Sequence, residues 1–436
     1  MKIAVLGLWH TGEIYSACLS ELGNTIIGID KNVDVVNNLM NGIPPLLEPG
    51  LSKLLKKNLK NGSLSYTTDM GQIKNCDLVW VTVDSPIEKG AHGSTKKLSS
   101  YLDTLIPYLQ DDMNLVISSQ LPAGSSAEIC DYIQKKKKGL KFQYAYVPEN
   151  LRLGEGVDSF MHASRIVIGT SSLPLQKTLT TLLLNTTNTI LAVSVPSAEM
   201  IKHATNAFLA TSMSFIYDIS DICETVGADV TEVSRGLRAD GRIGEKAYVD
   251  ASAGFSGGHL ERDLQYLRKI AKKNSFSLPV INAVHSKNRR RSEIIVNKLL
   301  PILGSFGGKT ITFFGITYKS GTSTLEHSLP LKVAKKMLLL GASIKLYDPW
   351  VNASEIEKEL PQGSFQYRAD PYEAATKSDV IICITPWPAL KELQFDKIAK
   401  QMTGPKLFFD ARNYFTFQQN NMKNVGIKHI GIGRIS

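Results

Sequence analysis

Glycines at positions 7 and 12 bracket the turn Gly7-Leu8-Trp9-His10-Thr11-Gly12, which follows an apolar run from Ile3 and opens onto a helical pattern. Glycine at such a turn lets the chain bend tightly and bring backbone amides close to a phosphate at a helix N-terminus. Trp9 takes the place of the middle glycine of the usual pattern and puts a side chain where a pyrophosphate comes nearest. Asp30 ends the next apolar run, at the distance expected of a carboxylate that accepts from a ribose 2′-hydroxyl and repels a 2′-phosphate. NAD is therefore expected rather than NADP. Lys202 and Asn206 form a second group: four residues apart on one helix face, they can direct N–H donors at an oxygen that gains negative charge. A surface lysine and a helix-to-helix amide bond are the plain alternatives. His259 lies in a glycine-rich stretch, where an imidazole can act as general base on an alcohol or a hydrated aldehyde, or simply fill the loop.

These residues need elements to hold them. The runs Ile3 to Gly7, Thr25 to Asp30, Leu78 to Val83, Leu115 to Ser119 and Phe142 to Val147 read as buried parallel strands separated by helical patterns. A long helix is expected from Pro196 to about Glu224, with Ser197 a plausible cap and apolar residues every three or four positions. After about Leu303 a second alternation starts, with strand-like runs Lys309 to Gly315, Ser343 to Asp348, Val380 to Thr385 and Lys406 to Asp410. The expected architecture is α/β: two Rossmann-type doubly wound domains, 1–195 and 303–436, joined by a long central helix and a helical middle domain, 196–302.

Composition narrows the class. A chain of 436 residues with 43% hydrophobic and 21% charged residues is too long for one core. No stretch approaches the ~20 apolar residues of a membrane span, and Met1 to Gly7 reads as a buried strand rather than a signal peptide. The five cysteines, Cys18, Cys76, Cys130, Cys223 and Cys383, lack disulfide or metal spacing, so a reducing cytoplasm and no metal are expected. The net charge of +10 suits an anionic ligand, while Lys135 to Lys138 and Arg289 to Arg291 read as solvated helix surface outside any nucleic-acid module.

With the segments placed, the chain resembles the UDP-glucose and GDP-mannose dehydrogenase family along nearly its whole length. The N-terminal motifs are Glu48-Pro49-Gly50-Leu51, Val83-Asp84-Ser85-Pro86, Pro122-Ala123-Gly124 and Pro148-Glu149-Asn150-Leu151-Arg152. Glu199 to Asn206 is similar to E-x-x-K-x-x-x-N, Asp240 to Gly244 to D-x-R-I-G, and Gly254 to Asp263 to the family's catalytic loop. The C-terminal part adds Gly315 to Lys319, Tyr347-Asp348-Pro349, Thr385-Pro386-Trp387, Asp410 to Asn413 and Gly431 to Arg434. The resemblance implies NAD contacts from Gly7, Trp9, His10, Thr11, Gly12, Asp30, Val83, Ser85, Pro86 and Ser119. It implies nucleotide-sugar contacts from Glu149, Leu151, Arg152, Lys202, Asn206, Arg242, Phe255, Gly257, Gly258, Tyr318 and Lys319. Chemistry would fall to Lys202, Asn206, Asp263 and Glu149, with His259 as a candidate, in a homodimer paired through the long helix.

The family's loop reads G-F-G-G-S-C-F-P-K-D, and the nucleophilic cysteine is His259 here. In the family, NAD oxidises the sugar's C6 alcohol to an aldehyde, the cysteine captures it, a second hydride leaves and water releases a carboxylate. Gln120 stands for a threonine, Leu153 for a glutamate, and Ser323, Thr324 and Glu326 depart from T-D-D-x-R, with charge reversed at the arginine position. The leading expectation is NAD-dependent oxidation of a UDP-sugar at its primary alcohol, reaching the uronic acid by a route without thiol. A single oxidation to a carbonyl product and a noncatalytic nucleotide-sugar-binding relative are the alternatives.

Overall fold

Continuous apolar runs between helical segments become the strands of two parallel sheets, as expected of strands covered on both faces. The computed structural model describes residues 1–46, 48–83, 87–88, 92–93, 96–256 and 258–435, with main chain alone at 87, 88, 92, 93, 96 and 97. The chain divides into two compact units, Met1–Thr205 with Gln265–Ile270, and Asn206–Leu264 with Ala271–Ser436.

In the first unit the strands are β1 (Lys2–Leu6), β2 (Thr25–Ile29), β3 (Leu64–Thr67), β4 (Leu78–Val81), β5 (Ile87–Glu88), β6 (His92–Gly93), β7 (Met113–Ile117), β8 (Phe142–Tyr146), β9 (Ile166–Thr170) and β10 (Ile190–Val193). One sheet runs β10-β9-β8-β7-β4-β1-β2-β3, and β5 and β6 form a separate antiparallel hairpin. Alternation along β1 sends Ile3 and Val5 into one core and Ala4 and Leu6 into the other, so the sheet is buried on both faces. The five strands expected from sequence are β1, β2, β4, β7 and β8. Three more went unread: β3, whose burial alternates, and β9 and β10, the latter a half-exposed edge. One pairing is antiparallel, β8 against β9, where Ala145 faces Thr170.

In the second unit β11 (Thr310–Phe314), β12 (Ser343–Tyr347), β13 (Phe365–Tyr367), β14 (Val380–Cys383), β15 (Leu407–Asp410) and β16 (Lys428–Ile430) form one parallel sheet in the order β13-β12-β11-β14-β15-β16. In both sheets the strand order reverses beside the first strand, which is the Rossmann arrangement and leaves a crevice at the carboxyl ends of the strands. A helix of 32 residues, Val195–Val226, begins in the first unit and continues into the second. The helices Val230–Ala239, His259–Lys273, Pro279–Arg291 and Glu293–Leu303 complete the helical middle of the chain. No helix among the described residues is long and apolar enough to cross a membrane.

Candidate active site

The glycine turn is built as its chemistry demands. Gly7 sits at φ +88°, and a Cβ there would lie 2.8 Å from Val83, while one on Gly12 would lie 1.8 Å from the Gly7 carbonyl oxygen. Thr82 Oγ1 donates to the Leu6 and Gly7 carbonyls at 3.0 and 2.9 Å, locking the turn against the end of β4. The helix His10–Glu21 starts there without a side-chain cap, so its first amides remain available to a phosphate. Trp9, at the middle-glycine position, is 44% exposed. Asp30 accepts from the Leu8 amide at 2.8 Å, from the Asn32 amide at 2.9 Å and from the Tyr101 hydroxyl at 3.2 Å. A carboxylate has about four lone-pair directions, so one is left for a ribose hydroxyl. Ser119 Oγ is buried and meets no partner among the described residues, as a group aimed at a ligand would. These features fit a dinucleotide. Ser85 and Pro86 lie outside the described residues.

His10 has a partner within the fold. Its Nε2 lies 2.7 Å from Glu48, whose carboxylate also accepts from the Gly154 and Gly156 amides at 2.7 and 2.9 Å. Burial would raise the Glu48 carboxyl, but the bonds from His10 and the two amides outweigh it and hold the pKa low. The E-P-G-L glutamate therefore clamps the start of the helix to the loop after Arg152. Beside it Glu13 is fully buried, with neither carboxyl oxygen bonded among the described residues. Burial first, then the charge of Glu48, pushes its pKa up to about 9 against a weaker pull from the Leu46 amide.

In the same unit Lys202 is only 6% exposed. Its Nζ donates to the Glu149 main-chain oxygen and lies 3.5 Å from the Glu149 carboxylate. The carboxylate in turn accepts from the Leu151 amide, so Glu149, Leu151 and Lys202 form one knot. Glu199, a turn before Lys202, accepts from the Gly124 and Ser126 amides at 2.6 and 2.9 Å, tying the long helix to the N-terminus of Ser125–Lys136. Arg152 instead pairs with Glu155 at 3.2 Å on the surface.

In the second unit Asn206 Nδ2 donates to Asp263, which is fully buried. His259 opens the helix His259–Lys273, and its Nδ1 lies 3.1 Å from Nη2 of Arg262. Gly258 packs beneath Tyr318, where a Cβ would come 2.8 Å from the phenol oxygen. Phe255 is held at both backbone atoms by Asn288, at 2.9 and 3.1 Å. Arg291 reads from sequence as solvated surface; it is 4% exposed, donating to the Ser252 carbonyl at 2.9 Å, to Asp221 at 2.5 Å and to Ser220 at 2.6 Å. Arg242 is bonded to Asp240 at 3.0 and 2.6 Å on the surface, and Lys319 is half-buried. Gly257 lies outside the described residues.

The turn of the second sheet looks alike but is filled. Asp348, at the end of β12 as Asp30 is at the end of β2, accepts from the amides of Ile316 (2.7 Å), Thr317 (3.2 Å) and Trp350 (3.0 Å) and from Trp387 Nε1 (3.0 Å). Tyr101 and Asn288 escaped the sequence reading of the site, as did the bonds that Glu199 and Glu48 make, because the partners lie 71, 33, 73 and 38 residues away. No thiol belongs to the loop. Burial raises all five cysteines above their ordinary range, Cys18 to about 12 and Cys130 to about 11. No group of three metal-ligating side chains occurs among the described residues.

Comparison with known proteins places this geometry. Residues 1–186 match the NAD binding domain of the UDP-glucose/GDP-mannose dehydrogenase family, 196–290 its central domain and 312–417 its UDP binding domain. The UDP-glucose 6-dehydrogenase TuaD of Bacillus subtilis is 33% identical over 99% of this chain and 93% of its own. YwqF of the same organism, also a UDP-glucose 6-dehydrogenase, is 31% identical over 100% and 98%. The solved UDP-glucose dehydrogenase of Pyrobaculum islandicum superposes with a TM-score of 0.87 at 25% identity, covering 94% of each chain. The chain belongs to the UDP-glucose/GDP-mannose dehydrogenase family.

Proposed function

We propose that this chain oxidises the primary alcohol of a nucleotide-diphosphate sugar, a UDP-sugar before others, using NAD. The observation that carries the reading is the buried Lys202, anchored on both the main chain and the carboxylate of Glu149. A buried ammonium is costly unless paired and put to use. NAD, when bound, supplies the acceptor for a hydride from the carbinol carbon. Lys202, with Asn206 a turn later on the same helix, offers donors to the oxygen that gains charge as that hydride leaves. Asp263 holds the Asn206 amide. In this reading residues 1–195 take the cofactor, 303–436 take the nucleotide, and 196–302 supply the helix and loop. The uncoupled thiols fit a reducing cytoplasm.

The test is NADH formation from NAD with a panel of UDP- and GDP-sugars. One UDP-sugar should support turnover, and Lys202→Met should lower kcat by about 100-fold or more, the size of losing one charge-stabilising donor. Sugar binding without NADH from any member of the panel would make the chain a nucleotide-sugar-binding relative instead.

A further inference from the structure

On the core side of the loop 148–151 the first unit contains a cavity of about 40 Å3. Tyr15, Trp80 and Phe160 are its aromatic walls, all three buried, with ring centroids 5.3 Å apart between Tyr15 and Trp80 and 4.9 Å apart between Tyr15 and Phe160. The walls are fixed in place. Trp80 Nε1 donates to Ser118 Oγ at 2.8 Å, and Ser118 Oγ donates in turn to the Val147 carbonyl at 2.6 Å. Pro148 and Leu151 form the side of the cavity that belongs to the loop. Arg165, half-buried at the rim, is the one charged residue in the lining. Its Nη2 donates to Thr205 Oγ1 at 2.9 Å, and it has no carboxylate partner among the described residues. Its remaining N–H groups suit an anion, since a guanidinium binds a carboxylate through paired donors. At roughly 10–15 Å3 for one water, the cavity has room for about three or four non-hydrogen atoms behind that cation.

We propose that this cavity binds a short-chain monocarboxylate, with the carboxylate on the Arg165 guanidinium and the alkyl end among Tyr15, Trp80 and Phe160. Size, charge and lining set the class together. An inorganic anion leaves the aromatic walls unfilled, and an alcohol of the same length leaves the guanidinium unmet. The occupant also bears on the reaction, a step that rests on the dehydrogenase reading above. Pro148 and Leu151 flank Glu149, whose main-chain oxygen and carboxylate hold Lys202. A void gives its lining no partner atoms on one side, so the loop is braced less firmly there than in a filled core. A carboxylate that fills the space braces the loop, and with it the Glu149–Lys202 pair that meets the sugar. Carboxylate and sugar therefore favour each other's binding.

Ligand-observed NMR on the full chain, with methyl-labelled propionate as the probe, tests the site. Saturable binding is expected with a Kd of about 1 mM, the strength open to so small a ligand. Acetate should bind about 4-fold more weakly for the methylene it lacks, and propan-1-ol and chloride about 10-fold more weakly or worse. Arg165→Gln should weaken propionate by about 10-fold or more, and Ala163→Phe, which fills the cavity from its half-buried rim, should abolish binding. No saturation of the unsubstituted chain by about 20 mM, or chloride binding as well as propionate, overturns the site whether or not either variant folds. The coupling is read as the KM for the sugar with NAD present. Saturating propionate should lower it about 2-fold or more in the unsubstituted chain and leave Arg165→Gln unmoved. An unchanged or raised KM overturns the coupling while the titration upholds the site. No NADH with any sugar overturns the dehydrogenase reading and the coupling with it, and the titration alone then decides the site.

Discussion

A glutamic acid in the first turn of a cofactor helix is an expensive residue, and Glu13 shows how its charge is managed. Its folded pKa of about 9 lies above the ordinary 4.5, so it is neutral in the folded chain and ionised in the unfolded one between those values. The stability it permits is whole below the lower value and is lost as pH rises toward the upper, at about 1.4 kcal/mol per pH unit for one proton. Glu13→Gln should therefore gain over the unsubstituted chain as pH rises, reaching a few kcal/mol by pH 8 in urea melts. Equal slopes of stability against pH from 5 to 8 would show that Glu13 does not carry the proton. Asp30 was legible at this scale because strand, turn and carboxylate are close in sequence. Tyr101, bonded to the same carboxylate, was not, since only the folded sheet brings the helix Lys96–Leu105 beside it.

Among the elements, the loop from Ser252 to Phe255 owes its shape to the helix Pro279–Arg291. Asn288 satisfies the amide and carbonyl of Phe255 together, the work a neighbouring strand would do. Asn288→Ala leaves both groups unmet and should cost about 1–3 kcal/mol in denaturant melts, with a rise in KM for the sugar. An unchanged midpoint and KM would show that the loop holds itself. The sequence marked the loop by its glycines, but gave no sign that it meets this helix. It also presented Arg289 to Arg291 as one solvent-facing run. Local spacing places the third arginine on the helix; only the Ser252 carbonyl, 39 residues earlier, explains why it is buried. Apolar runs buried on both faces, such as β1 and β4, declared themselves, whereas the edge strand β10, with its two middle residues exposed, did not.

At the scale of the whole molecule the two sheets repeat one topology with different outcomes. Asp30 keeps a bonding direction open and Asp348 has four donors around it, so the first turn suits a ribose and the second is closed by its own tryptophan. Assembly is the other property at this scale. Phe208, Phe215, Ile222 and Val226 recur every seven or four residues on the long helix and are 50% to 71% exposed. An apolar stripe of that length is characteristic of a surface covered by a second copy. Light scattering should give a dimer mass, and Phe215→Asp a monomer. A monomeric unsubstituted chain at micromolar concentration would refute the pairing.

The burial of the thiols reaches beyond the reaction. Oxidants and alkylating agents act on thiolates, and an enzyme whose nucleophile is a thiolate is silenced by the first peroxide or electrophile that reaches it. Here all five sulfurs are held protonated by their surroundings, and the position of the loop where a thiolate would be exposed is an imidazole. On the proposed function, NADH formation should therefore persist after treatment with peroxide or a thiol-alkylating reagent, and its loss would show that one of the five thiols is needed.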